Sequence, residues 1–376
     1  MAQSKTNPVA EGKAKLLIPK GVFFNPEMKF CRDYSVLAIR AALNGKRKLR
    51  LVDATAATGV RAIRYRKECG GIAGEALLVD LNANAAKAAT ANVKLNKLKN
   101  AKAVKASFAK FCQSSHAEEK FGIIELDPFG SPVPLLYDAA RISRNGTLLS
   151  VTATDMAVLC GAHPKACLKN YQSKPLNSSY CHEVAVRVLL GKIARTVSEF
   201  NFGIAPVASL SHLHYVKVFA LLESGAEKAV ASIKELGFLA HCNKCLHREW
   251  RKGVANSLPA KCPKCGTQFE FAGPLWLGEI HGKKALLPML REAKDPKLAK
   301  LLRLQAGECG MPPFFFDLHE VTEKLGIRAL AFDSVVGELR RMGFRALPVH
   351  FKPNCVKTDA DSSAMNRAAL SAKAIK

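Results

Sequence analysis

From about residue 49 to residue 223 the chain alternates short β-rich runs with helical stretches, and no other feature limits the fold as tightly. Parallel strands cannot be joined by a tight turn, so strand–helix–strand repetition implies a mostly parallel sheet with crossover helices. The candidate strands are LRLVD (49–53), ALLVD (76–80), AKAVKA (101–106), IIELD (123–127) and TLLSVTA (147–153). Between the second and third lies NANAAKAATANVKLNKL (82–98), rich in alanine and opened by an asparagine that can cap a helix. Another helix is expected near 181–200. The stretch IAPVASLSHLHYVKVFALLE (204–223) then reads as two strands joined by a tight turn, an antiparallel pair closing the sheet.

In a doubly wound sheet, ligands bind at the carboxyl ends of the strands. Three candidate strands end in aspartate. Asp53 opens DATAATGVR (53–61), whose small residues let backbone approach a ligand and whose Gly59 precedes a helix N-terminus. Asp80 follows twenty-seven residues later, where an acid accepts hydrogen bonds from ribose hydroxyls. Each aspartate alone reads more commonly as a turn or a helix cap. Together, at βαβ spacing, they favour a nucleoside cofactor. Asp127 ends the fourth strand in LDPFGSP (126–132). An Asp-Pro turn with a packed phenylalanine is one reading. The chemical one is an amine site: a purine amino group is a poor nucleophile, and a desolvated carboxylate can hold its N–H groups. Pro128 would fix the backbone beyond the acid, Phe129 would offer a stacking face, and Gly130 would let the chain turn.

Charge and cysteine spacing extend the reading to the rest of the chain. With 57 Lys+Arg against 31 Asp+Glu the formal charge is +26, which points to a polyanionic partner; a generally basic proteome is the blander source. No run nears the roughly 18 apolar residues of a spanning helix, and the N-terminus lacks a signal peptide's apolar stretch. The protein is expected in the cytoplasm, with no membrane association and no obligate protein partner implied. Cysteines there stay mostly as thiols. CNKC (242–245) and CPKC (262–265) leave 16 residues between Cys245 and Cys262, the spacing of a closed, structural zinc site built from Cys242, Cys245, Cys262 and Cys265. Basic residues around these knuckles suggest that the module touches phosphate. His241 and His247 are alternative ligands, though more simply surface residues. Other cysteines, including Cys31, Cys69, Cys112 and Cys160, show no ligand spacing and read as buried small side chains. Residues 316–351 look like helix, turn, helix and basic strand. The last fifteen or so residues look like a mobile basic tail.

Several stretches in order resemble one family, the tRNA (guanine-26-N2)-dimethyltransferases: FFNPEMKFCRDYSV (23–36), DATAATGVRAIRY (53–65), LDPFGSP, VTATDMAVLCGAHPKACLKNY (151–171), SSYCHEVAVRVLLG (178–191), the paired knuckles, PPFFFDLHEV (312–321) and HFKPNCVKTDA (350–360). This resemblance implies an α/β fold, a Rossmann-like class I methyltransferase sheet that is mostly parallel with an antiparallel last strand. A C-terminal α+β domain with a zinc-ribbon-like knuckle would follow. The methyltransferase domain would cover 1–224 and a tRNA-binding domain 225–360, with the zinc site at about 238–272 and a winged-helix-like segment at about 312–352. Residues 361–376 would form a flexible tail. The cofactor implied is S-adenosyl-L-methionine and the partner is tRNA. Arg32 and Arg61 resemble the family's cofactor-contacting arginines, Asp80 its ribose-binding acid and Asp127 its catalytic aspartate, with Asp53 beside the cofactor and Pro128 and Phe129 at the substrate. Where the family commonly has an acid near the adenine amino group, KASFAKF places Ser107 and Phe108. Pro348 and Val349 stand where the family has a threonine before HF. Other readings are methylation of another exocyclic or amide amine, or tRNA binding without catalysis.

Overall fold

The structure, a computed structural model, describes residues 8–254 and 257–373. It opens with a small hairpin, β1 (Val9–Glu11) and β2 (Ala14–Leu16). Seven strands then form the central sheet: β3 (Leu49–Asp53), β4 (Ala73–Asp80), β5 (Ala101–Lys105), β6 (Phe121–Leu126), β7 (Ser143–Ala153), β8 (Phe202–His212) and β9 (Tyr215–Ser224). Their spatial order is β5-β4-β3-β6-β7-β9-β8, and β9 runs antiparallel to both of its neighbours. The expected strands are all present, and Leu213 and His214 form the tight turn between β8 and β9. Strand order reverses at β3, so the ends of β3, β4 and β6 open onto the crevice where such sheets take ligands.

Every residue of β6 is buried, because helices cover both faces. On one face lie helices Lys29–Ala42, Val60–Glu68 and Ala83–Leu95, whose Ile39, Ile63 and Ala89 join Leu51, Leu78 and Ile123 in one core. On the other, helices Phe108–Cys112, Val133–Arg141 and Cys181–Ser198 pack Phe111, Leu136 and Val188 against Val52, Ile124 and Leu149. Each of the larger of these side chains contributes about 1.5–3 kcal/mol by leaving water. The register sets Asp53 level with Glu125, so Asp127 stands just beyond the sheet edge.

After β9 come helix Ala226–Lys234 and a second sheet, β10 (Leu236–His241), β11 (Arg248–Lys252) and β12 (Glu270–Trp276), ordered β11-β10-β12. Helices Lys283–Glu292 and Pro296–Glu308 return to the first part of the chain, burying Leu286, Met289 and Leu302 with Leu37 and Ile39. A third sheet, β13 (Phe316–Asp317), β14 (Ala346–Pro348) and β15 (Cys355–Thr358), encloses helices Leu318–Leu325 and Phe332–Arg341. A buried ion cluster ties it to the centre: Lys357 on β15 lies 3.0 Å from both Glu183 oxygens, and Arg187 lies 2.7 Å from one of them. Burial pushes the Glu183 carboxyl up, but Lys357 and Arg187 outweigh it and hold the group down at about 2.

The expected flexible tail is instead mostly a helix, Ser362–Ser371. Asp361 caps it by accepting from the Ala364 N–H at 2.8 Å. Ala364, Met365, Ala368 and Ala369 recur at helical spacing and are buried with Val335 and Leu339, which outweighs the basic composition. Residues 374–376 of that segment lie outside the described residues. Among the described residues no helix is long and apolar enough to cross a membrane.

Candidate active site

Asp53, Asp80, Arg32, Arg61, Asp127 and Phe129 line one cavity of about 230 Å³ at the ends of β3, β4 and β6. Its floor is the turn after β3. Gly59 takes φ +78° there, and a Cβ at this residue would stand 2.7 Å from Leu78 Cδ2. Asp80 closes the turn: Oδ2 accepts from the Ala57 N–H and Oδ1 from the Asn82 N–H, both at 2.8 Å. Both carboxylate oxygens of Asp80 therefore hold backbone in place.

Asp127 is the half-open acid, with 21% of its side chain exposed. Arg61, from the helix after Gly59, sends Nε and Nη2 to the same oxygen, Oδ2, each at 2.7 Å. Arg61 thus leaves Oδ1 to other donors. Burial pushes the Asp127 carboxyl up, but the charges of Arg61 and Lys217 and a bond from Thr152 hold it below the usual carboxylate value. Beneath it, Lys217 on β9 donates to the Glu125 carboxylate and, at 2.9 Å, to Thr152 Oγ1; the Tyr65 hydroxyl donates to Glu125 at 2.8 Å. Asp53 is the exception in this group. Burial first, then the Glu125 charge, lift its carboxyl to about 7, although Arg61 opposes the shift.

Phe129 is 76% exposed at the cavity mouth, where it meets Phe23, 52% exposed, edge to face at 4.7 Å. An aromatic pair left in water beside a charged cavity is a ready stacking surface. Arg32 reaches the cavity too, but its guanidinium is held by both oxygens of Glu11, at 2.6 and 2.5 Å, and by the Asn25 carbonyl at 3.0 Å. Ser107 and Phe108 are not among the lining residues. The Ser107 hydroxyl caps helix Phe108–Cys112 through the Lys110 N–H at 3.3 Å, and Phe108 is buried against Phe111.

The four knuckle cysteines converge as the spacing predicts. Cys242 and Cys265 place their sulfurs 3.4 Å apart, and Cys245 and Cys262 theirs 3.6 Å apart. Four thiolates around one tetrahedral ion at Zn–S bonds of about 2.3 Å would sit about 3.7 Å apart, so the donor set fits. The two turns are built alike. The Leu246 N–H donates to the Cys242 carbonyl and the Gly266 N–H to that of Cys262, both at 2.9 Å, and both residues have positive φ. His241 and His247 are buried rather than on the surface, and neither joins the cluster. Burial, then the Arg248 charge, lower the His241 imidazole to about 4. Arg248 donates to the Phe315 carbonyl at 2.6 Å and lies over the Phe316 ring, which makes it a packing residue rather than a free phosphate ligand.

A profile of the family described as "N2,N2-dimethylguanosine tRNA methyltransferase" matches residues 4–369. The chain belongs to this family. Relatives called tRNA (guanine(26)-N(2))-dimethyltransferase are 36% identical in Methanobrevibacter smithii, over 96% of each chain, and 38% identical in Methanothermobacter thermautotrophicus, over 90% of each. Trm1 from Pyrococcus horikoshii, solved in complex with S-adenosyl-L-methionine, superposes with a TM-score of 0.86 at 32% identity, over 96% of this chain and 99% of that one. The expected family and α/β fold therefore stand.

Several site residues escaped the sequence reading. Glu11 precedes the sheet and meets Arg32 only through the fold, and Lys217 reaches Glu125 across 92 positions. Phe23 carried a signal, as an aromatic next to Phe24 before a proline, but nothing in the spacing linked it to Phe129. Leu81, 72% exposed directly after Asp80, is a further apolar surface at the strand end.

Proposed function

We propose that this chain transfers methyl groups from S-adenosyl-L-methionine to the exocyclic N2 of guanine 26 in tRNA, giving N2-methylguanosine and then N2,N2-dimethylguanosine. The observation that carries this reading is an ionised, half-open carboxylate, Asp127, beside the exposed pair Phe23 and Phe129. When bound, S-adenosyl-L-methionine supplies an electrophilic methyl group. Asp80 would take the ribose hydroxyls, with Asp53, Arg32 and Arg61 shaping the pocket and Leu81 offering a face to the adenine. Ser107 and Phe108, at the end of β5, cap and pack the helix that follows rather than line this cavity.

A guanine amino group spreads its lone pair into the ring, so it must be aimed rather than merely admitted. The base would leave its stack and rest on Phe129 and Phe23, with Pro128 fixing the backbone between acid and ring. Asp127 Oδ1 would accept an N–H while Arg61 holds Oδ2. Because its basicity is depressed, Asp127 serves chiefly as an acceptor that orients nitrogen, and the proton released after transfer leaves through its solvent-exposed side. The same oxygen serves both transfers: one N–H remains to hold after the first methyl, and none is needed after the second.

The sheet and helices of 1–224 supply this chemistry, and 225–360 would grip the folded RNA by shape and backbone. A structural Zn2+ held by Cys242, Cys245, Cys262 and Cys265 would set the knuckle. Incubation of tRNA transcripts with methyl-labelled cofactor, followed by nucleoside mass spectrometry, tests the reading. Label on N2 at position 26, lost when that guanine is replaced by adenine, is expected; label on another atom or residue overturns it.

A further inference from the structure

Cys160, expected as one more buried small side chain, is only half-buried and faces two donors from a distant segment. It follows helix Met156–Leu159 just after β7, while Cys181 and His182 open the 18-residue helix Cys181–Ser198. One ligand atom from each of the three lies within 4.8 Å of the others. We propose that Cys160, Cys181 and His182 form a second transition-metal site, for Zn2+ or a dication of similar softness, separate from the four-cysteine knuckle.

The donor set suits such an ion. Two thiolates balance a dication, and an imidazole completes a Cys2His set with a fourth position for water. Tetrahedral coordination asks for donor atoms about 3.3–3.8 Å apart, so the three side chains need to draw together by at most about 1–1.5 Å, within the reach of χ1 adjustments. His182 is already oriented: its Nδ1 lies 3.2 Å from the Ser211 hydroxyl on β8. A hydroxyl accepting from Nδ1–H leaves the Nε2 lone pair for a metal, the arrangement that fixes ligating histidines elsewhere. Water has access, because His182 and Ser211 also line a cleft of about 640 Å³ with His212 and His350.

An ion here would do mechanical work near the reacting atoms. Between β7 and Cys160 lies Thr154, whose hydroxyl accepts from the Gly130 N–H at 2.7 Å and whose N–H donates to the Gly130 carbonyl at 3.0 Å. Gly130 ends the Asp127–Gly130 turn. Joining Cys160 to the long helix would stiffen that clasp from behind.

Metal stoichiometry tests this without any methyl transfer, so its outcome is independent of the substrate reading. The full chain, purified under reducing conditions, loaded with Zn2+ and freed of excess, is expected to hold two ions by elemental mass spectrometry. C160S/C181S should hold one, with unchanged circular dichroism. On Co2+ loading, its thiolate charge-transfer absorption should fall by about a third, since two of six ligating sulfurs are gone. If the double variant does not fold, His182→Gln decides, with Zn2+ affinity at one site expected to weaken at least about tenfold. One ion in both wild type and C160S/C181S, undiminished affinity in H182Q, or a Cys160–Cys181 disulfide in place of a bound ion would overturn the proposal.

Discussion

A carboxylate that holds an amine must stay ionised, and one buried among other acids tends not to. Asp127 stays ionised because Arg61 gives two nitrogens to a single oxygen and Lys217 lies beneath. Asp127→Asn keeps the shape but loses the charge, so transfer should slow by about 10²–10⁴-fold with cofactor binding largely kept. Single-turnover rates beside calorimetry of S-adenosyl-L-methionine binding check this; near-normal turnover would remove Asp127 from the chemistry. Asp53 carries the opposite perturbation. Its carboxyl ionises near 7 in the fold, raised first by burial and next by Glu125, against about 3.9 in an unfolded chain. Between those values the native state keeps a proton that the unfolded chain has released. Stability therefore falls as pH rises from about 4 to about 7, by at most about 1.4 kcal/mol per pH unit, and levels off above. Asp53→Asn should remove that slope and gain on wild type as pH rises. Melting temperatures across this range decide; parallel profiles for the two proteins would refute the assignment.

The turn after β3 and the paired knuckles are elements whose geometry a single atom can upset. Gly59→Ala puts a Cβ 2.7 Å from Leu78 Cδ2 in a left-handed residue, which should cost about 1–3 kcal/mol and weaken cofactor binding. A thermal melt beside a cofactor titration would show both losses, and an unchanged melt would mean that the turn relaxes freely. Cys262→Ser should lower metal content by one ion per chain and open the knuckle to protease; unchanged content would count against the four-thiolate site. These elements were legible because their signals are local. An apolar run ending in aspartate, a glycine before a helix and a C-x2-C pair each occupy a few adjacent residues. What escaped was long-range. Glu11 meets Arg32, Phe23 meets Phe129, and Cys160 meets Cys181 and His182 only once strands and helices are stacked. Helix Ser362–Ser371 also carries a local signal, since Ala364, Met365, Ala368 and Ala369 recur at helical spacing, but the basic composition of the segment points the other way.

At the scale of the whole molecule, the distribution of charge bears on how tRNA would be held. The formal +26 does not gather in the part assigned to RNA: 25 of the 57 basic residues and 15 of the 31 acids lie beyond residue 224, leaving +10 there and +16 before it. The two parts also share packed cores. Leu275 and Phe314 pack with Ile124 and Val188, and Lys357 is bonded to Glu183 within the long central helix. A polyanion would thus meet one continuous basic body rather than a separate basic arm, with phosphate contacts drawn from both parts. Each neutralised phosphate releases counterions, so affinity should fall steeply with salt. For six to ten contacts the loss is about 10³–10⁵-fold between 50 and 200 mM. The chemical step should respond differently, because the pair formed by Arg61 and Asp127 is largely shielded from solvent and salt screens buried pairs weakly. Fluorescence anisotropy of labelled tRNA across salt, alongside single-turnover methylation at saturating tRNA, separates the two. A steep binding slope with a nearly flat maximal rate is expected. A flat binding slope would mean that the positive charge serves something other than tRNA, and a maximal rate that falls with affinity would mean that phosphate contacts help to seat the base beside Asp127.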